Sequence, residues 1–192
     1  MAVAIVQHAR DDAPHCGDLA VWWEDATRTV LCIIDGLGHG PQAEQAATRA
    51  AEYVECYRDR PLCDILSGCN EAIRSTRGVA MGLVAIDREA GRLSYVGVGN
   101  TQAVFVGQTV QYLSNNHGIV GGGIRSLRCE TLPLATGDLV ILLTDGVDPI
   151  GAMSQVEIIA RRDLSQLAEQ ILQRGRRPAD DAAVLVYRNE AA

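Results

Sequence analysis

An apolar run that breaks off at an aspartate and then a glycine occurs twice in this chain, and it limits the fold more than any other feature. The first copy is Val30-Leu31-Cys32-Ile33-Ile34-Asp35-Gly36, followed by Leu37-Gly38-His39-Gly40 and Pro41. The second is Leu139-Val140-Ile141-Leu142-Leu143-Thr144-Asp145-Gly146. Runs of this length and composition read as buried strands. Asp35 and Asp145 then stand where a strand leaves the core, with their carboxylates aimed outward. Glycine after Asp35 lets other backbone come close and frees the Gly36 carbonyl to point the same way. Asp-Gly is also an ordinary turn dipeptide, so one copy alone decides little.

Two further acidic groups sit beside strand candidates. Gly17-Asp18 precedes Leu19-Ala20-Val21-Trp22-Trp23, and Asp180-Asp181 precedes Ala182-Ala183-Val184-Leu185-Val186. Asp18 opens the strand that forms a hairpin with 28–34, so antiparallel pairing sets it beside Asp35. Carboxylates gathered at one spot repel one another and resist desolvation unless a cation neutralises them. Their hard oxygens, with a backbone carbonyl and water, suit Mg²⁺ or Mn²⁺ rather than zinc. Where these strand ends meet, the chain builds a divalent metal site.

The motifs Asp35-Gly36-Leu37-Gly38-His39-Gly40, Gly97-Val98-Gly99-Asn100, Thr144-Asp145-Gly146 and Asp180-Asp181, in that order, resemble those of the metal-dependent type 2C protein phosphatases, the PPM family. Their spelling is that of the bacterial branch containing SpoIIE and RsbU, and the likeness spans nearly the whole chain. The resemblance implies an α+β fold, an αββα four-layer sandwich of two antiparallel sheets flanked by helix pairs, in one catalytic domain over residues 1–192. It implies hydrolysis of phosphoserine or phosphothreonine in proteins by a water activated between two Mn²⁺ or Mg²⁺ ions, about 3.5–4 Å apart in sites of this kind. Asp35 would bridge the ions with the Gly36 carbonyl on one of them. Asp145 and Asp180 would complete one shell, and Asp18 would help hold the other ion through water. The family ligand falls on the first acidic residue of the pair, so Asp181 reads as a supporting or capping group.

As a short catalytic domain with no sensor attached, the chain is most similar to the stressosome phosphatases of that branch. Their substrates, phosphorylated STAS-domain proteins, are the partners this implies. An anti-anti-sigma factor substrate is the neighbouring alternative, and a catalytically inactive binding module of the same fold is a third. All the expected acidic positions are filled, which disfavours the last. His39 departs from the eukaryotic members, where a histidine follows Asp-Gly directly and Leu37 stands here. His39 either protonates the leaving oxygen or caps the following helix, and the cap is favoured. The phosphate-clamping arginine of those members has no clear counterpart, with Arg10 the one nearby basic residue. Asn100 closes a segment that either brings backbone to the site or is a plain bulge. Asn115-Asn116-His117-Gly118-Ile119-Val120-Gly121-Gly122-Gly123 is either a loop beside the site or a linker, with His117 and Arg125 as candidates for substrate contacts.

The remaining pattern is strands at 2–9, 19–25, 28–34, 79–87, 92–97, 102–106, 109–113, 127–132 and 182–186, and helices at 41–60, 62–73, 155–161 and 164–174. Net charge of −7 disfavours nonspecific nucleic-acid binding, which needs a basic stripe. Arg174, Arg176 and Arg177 read as a solvated helix end. No stretch approaches the roughly 20 apolar residues that span a bilayer, and the N-terminus lacks a signal peptide's basic region and cleavage site. Six cysteines without CxxC spacing read as reduced thiols, which places the protein in the cytoplasm.

Overall fold

The computed structural model describes residues 2–153 and 163–190. Strands β1 (Val3–His8), β2 (Asp18–Glu24) and β3 (Arg28–Gly36) lead into helices α1 (Pro41–Tyr57) and α2 (Leu62–Ala72). A meander follows: β4 (Val79–Asp87), β5 (Arg92–Val98), β6 (Gln102–Val106) and β7 (Val110–Leu113). Then come three short pieces, β8 (Asn115–Asn116), β9 (Gly118–Ile119) and β10 (Gly123–Ile124), and β11 (Glu130–Pro133). The chain closes with β12 (Leu139–Leu143), α3 (Pro149–Met153), α4 (Leu164–Gly175) and β13 (Ala182–Arg188). The helix expected over 155–161 lies outside the described residues.

One sheet has the order β1-β13-β12-β6-β7 and the other β11-β5-β4-β3-β2, with β8 laid parallel beside β5 and every other pair antiparallel. Side chains on a strand alternate between its faces, and this alternation sorts the molecule into layers. Leu31 and Ile33 of β3 face an interior shared with Val140 and Leu142 of β12 and Ala183 and Leu185 of β13. Their neighbours Val30, Cys32 and Ile34 face the opposite way, onto Ala46, Ala50 and Val54 of α1 and Ile65, Leu66 and Cys69 of α2. Leu139, Ile141 and Leu143 likewise pack on Leu167, Ala168 and Ile171 of α4. Three apolar interiors thus separate four layers, the expected αββα sandwich. Each fully buried aliphatic side chain contributes about 1.5–3 kcal/mol. Trp22 packs toward the interior between the sheets and Trp23 toward the helices, as their adjacency requires.

Local chemistry fixes the connections. Pro41 suits the first turn of α1. In the β2–β3 turn, Asp25 Oδ1 accepts from the backbone N–H of Thr27 (3.0 Å) and Arg28 (2.8 Å). Asp163 caps α4 by accepting from the N–H of Ser165 and Gln166. Two expectations change. The strand expected from Leu127 begins only at Glu130, because the Arg128 N–H is held by Asn116 Oδ1 at 2.8 Å rather than by a sheet neighbour. Arg176 is not a solvated helix end: its guanidinium is half-buried and donates to the Ala9 carbonyl at 3.1 Å, tying the end of α4 to the loop after β1.

Candidate active site

The acidic residues of both sheets come together at one end of the sandwich because each continues, or flanks, a face that looks inward. Asp18 and Asp35 are directly paired across β2 and β3. They extend the series Ala20 and Leu31, Ile33 that lines the interior between the sheets. On the other sheet the end of β12 is locked to the start of β13. Thr144 N–H donates to the Ala183 carbonyl (3.1 Å), and the Ala183 N–H donates to Thr144 Oγ1 (2.8 Å). That lock sets Asp145 beside the Asp180-Asp181 pair. Asp35, Asp145 and Asp180 line one cleft of about 790 Å³, together with Arg10, His39, Asn100 and His117.

Both Asp-Gly pairs need glycine for close packing. A Cβ on Gly36 would lie 2.3 Å from the Ala43 carbonyl oxygen of α1, and one on Gly146 would lie 1.8 Å from the Asp181 carbonyl oxygen. The first glycine lets α1 press against the end of β3. The second lets the turn after β12 press against the start of β13.

The electrostatics are those of charges held together without a counter-ion. Burial, followed by the charge on Asp35, raises the Asp18 carboxyl to about 8, against which the nearby Thr144 hydroxyl works. Burial, followed by Asp145 and Asp180, raises Asp35 to about 7, with the Asn100 amide acting the other way. Asp180 is also raised, by burial first and by Asp145 next, while Arg10 pulls it down. Asp18 is 4% exposed, and its Oδ2 is buried without a hydrogen-bond partner among the described residues. A buried carboxylate oxygen left unpaired is costly. An oxygen-seeking divalent cation satisfies it and removes the repulsion at one stroke. The donor set therefore fits Mg²⁺ or Mn²⁺. Among the described residues no three Asp, Glu, His or Cys side chains close on a single point.

Asp181 has a different role from its neighbour. Its Oδ1 accepts from the Arg10 N–H (2.8 Å) and its Oδ2 from the Gly17 N–H (2.7 Å). With both oxygens engaged and 3% exposure, it clamps the loop between β1 and β2 onto β13. The expected supporting part thus has a concrete form. Asn100 donates from Nδ2 to Asp145 Oδ2 at 2.5 Å, so Gly97-Val98-Gly99-Asn100 is more than a bulge. His39 does not cap α1. The N-cap is Gly40, with φ 76°, and no side chain caps that end; His39 is exposed on the cleft wall instead.

Two asparagines went unassigned in the sequence. Asn116 Nδ2 donates to the Gly97 (2.9 Å) and Arg128 (3.2 Å) carbonyls, and Asn115 Nδ2 donates to the Gly99 carbonyl (3.0 Å). Tyr95 adds its hydroxyl to Asn115 Oδ1. Val120, fully buried, bridges to Val79. The segment is a fastened wall of the cleft rather than a linker. The only sequence signal was the Asn-Asn pair itself.

A model of Stage II sporulation protein E, SpoIIE, matches residues 25–190. The chain belongs to the SpoIIE family. Phosphoserine phosphatase RsbX of Bacillus subtilis (strain 168) is 25% identical over 135 residues, covering 69% of this chain and 68% of the relative. A chain from a solved structure of the bacterial stressosome, described as a modular system adapted to control secondary messenger signalling, superposes with TM-score 0.92 at 28% identity. That match covers 97% of this chain and 98% of the other. RsbX crystallised with magnesium superposes with TM-score 0.86 at 20% identity over 97% and 94% of the two chains, a likeness of fold. This SpoIIE-family chain is thus a protein phosphatase of type 2C.

Proposed function

We propose that this SpoIIE-family chain is a Mn²⁺- or Mg²⁺-dependent phosphoserine and phosphothreonine phosphatase whose substrates are phosphorylated STAS-domain proteins of a stressosome. Residues 1–192 serve as one catalytic domain working in the cytoplasm. The observation that carries the chemistry is the meeting of Asp18, Asp35, Asp145 and Asp180 at one end of the sandwich, with Asp18 Oδ2 buried and unpaired. The substrate class is supported by the two likenesses at 25% and 28% identity, to RsbX and to the stressosome chain. Among the described residues no helix is long and apolar enough to cross a membrane, and all six cysteines are free.

Asp35, Asp145 and Asp180, with the Gly36 carbonyl, would hold two divalent ions, and Asp18 would steady the second through water. Bound there, the pair supplies an acidified water and positive charge facing the phosphoryl group. Asn100 fixes the direction of Asp145 through its 2.5 Å hydrogen bond. Arg10, on the cleft wall beside Asp180, offers a cation to the phosphoryl oxygens. His39 stands on the same wall, where an imidazole is suited to return a proton to the leaving serine or threonine oxygen.

The test is phosphate release from a phosphorylated STAS-domain protein with Mn²⁺, with EDTA, and with Asp35→Ala or Asp145→Ala in Mn²⁺. Release in the first arm alone is expected, with each variant down by about 10²–10³-fold, the size of effect seen when a transition-state charge partner is removed. Turnover that persists after chelation would sink the reading.

A further inference from the structure

A second groove opens from the wall of the active-site cleft. It encloses about 580 Å³ and shares Asn115, Asn116, His117 and Gly118 with the cleft, so the two adjoin across that wall. Beyond the shared wall its lining includes Arg125, Arg128 and Glu130. Both arginines are exposed, and neither guanidinium makes an ion pair or hydrogen bond among the described residues. The Glu130 carboxylate is engaged by the Ser114 N–H at 2.8 Å. The two guanidiniums outnumber the one carboxylate of this lining, in a chain whose net charge is −7. A local reversal of sign against the overall charge selects partners by complementarity.

The platform under Arg128 is fixed. A single side chain, Asn116, accepts from its N–H, donates to its carbonyl, and donates again to Gly97. Gly97 begins the segment that ends at Asn100, which orients Asp145. Position in the groove is thus tied rigidly to position in the cleft, which is what a docking element needs to set register.

Resting on the phosphatase reading above, we propose that this groove receives the polypeptide flanking the phosphorylated residue, and that Arg125 and Arg128 select acidic side chains there. The occupant is a phosphoprotein segment with aspartate or glutamate beside the phosphoserine or phosphothreonine. A small phosphoester fills the cleft alone and gains nothing from the groove.

The test uses phosphopeptides of one sequence, with either three aspartates or three asparagines on each side of the phosphoserine. Their kcat/KM values are compared with Mn²⁺ for the wild type, Arg125→Glu/Arg128→Glu, and Arg49→Glu/Arg58→Glu. The last pair carries the same charge change on α1 and at its C-terminal cap, and lines neither cavity. Fluorescence anisotropy gives the affinity of the same peptides without metal, so the groove is tested even if no ester is cleaved. The expected acidic-over-neutral preference is about tenfold at low salt, roughly threefold for each exposed guanidinium–carboxylate pair, and it shrinks as salt rises. It collapses or inverts in the first variant and persists in the second. Equal handling of both peptides by the wild type overturns the proposal, as does an unchanged preference in Arg125→Glu/Arg128→Glu. Preferential binding without turnover of any ester supports the groove while rejecting the phosphatase reading.

Discussion

Replacing Asp18 by asparagine should stabilise this protein when no metal is bound, although it removes a residue placed at the metal site. Asp18 is almost wholly buried and faces Asp35 across the strand pair. Its carboxyl is raised from 3.8 to about 8, first by burial and then by that neighbour. A group whose proton is held more tightly in the folded state contributes stability below its unfolded value, and that contribution is lost as pH rises through the folded one. The metal-free wild type therefore weakens between about pH 4 and pH 8. A rise from 3.8 to about 8 sets a ceiling of roughly 6 kcal/mol. Side-chain rotation and water entry at the cleft leave about 2–3 kcal/mol of it. For a chain of this size that is roughly 5–10 °C in Tm. Thermal melts in EDTA at pH 5 and pH 8 should show Asp18→Asn close to wild type at the lower pH and several degrees above it at the higher. Adding Mn²⁺ at pH 8 should raise the wild type more than the variant. A variant less stable than wild type at pH 8 in EDTA would show that the paired carboxylates do not repel as described.

Other substitutions separate the parts of the site. Gly146→Ala sets a Cβ 1.8 Å from the Asp181 carbonyl oxygen, so urea titration should show a loss of about 3 kcal/mol or a chain that does not fold. Asp181→Asn leaves one of two backbone N–H donors facing an amide NH2 and weakens the bond to the other; a loss of about 2–4 kcal/mol in the same titration is expected. His39→Ala should leave the unfolding free energy unchanged within about 0.5 kcal/mol, since it caps nothing. In a phosphopeptide assay it should lower kcat, and less so for esters whose leaving oxygen needs no proton. Asn100→Ala frees Asp145, and Mn²⁺ affinity by calorimetry should fall about tenfold or more.

The acidic centre was legible in the primary structure because period-two alternation and antiparallel pairing are local rules. Apolar runs ending at Asp35 and Asp145 can leave the core only at a strand end, and the hairpin of β2 with β3 places Asp18 opposite Asp35. The sandwich followed from the same alternation, since β3 and β12 each carry apolar residues on both faces and must be covered twice. What stayed hidden depends on partners far along the chain. Asn116 works through Gly97 and Arg128, residues that no spacing rule connects to it. Asp181 works through Arg10 and Gly17, at the opposite end of the sequence. The cap expected of His39 failed for a simpler reason: Gly40 adopts a positive φ and takes the N-cap place itself.

The clamp from Asp181 to the backbone at Arg10 and Gly17 has a consequence for when the site is completed. A growing polypeptide emerges from the ribosome N-terminal end first. The loop that leads into Asp18 is made well before the carboxylate that fastens it, which lies 164 residues further along. Until that stretch is out of the exit tunnel, the acidic cluster lacks one wall. A partial chain that stops short of Asp181 therefore leaves the loop before Asp18 unfastened.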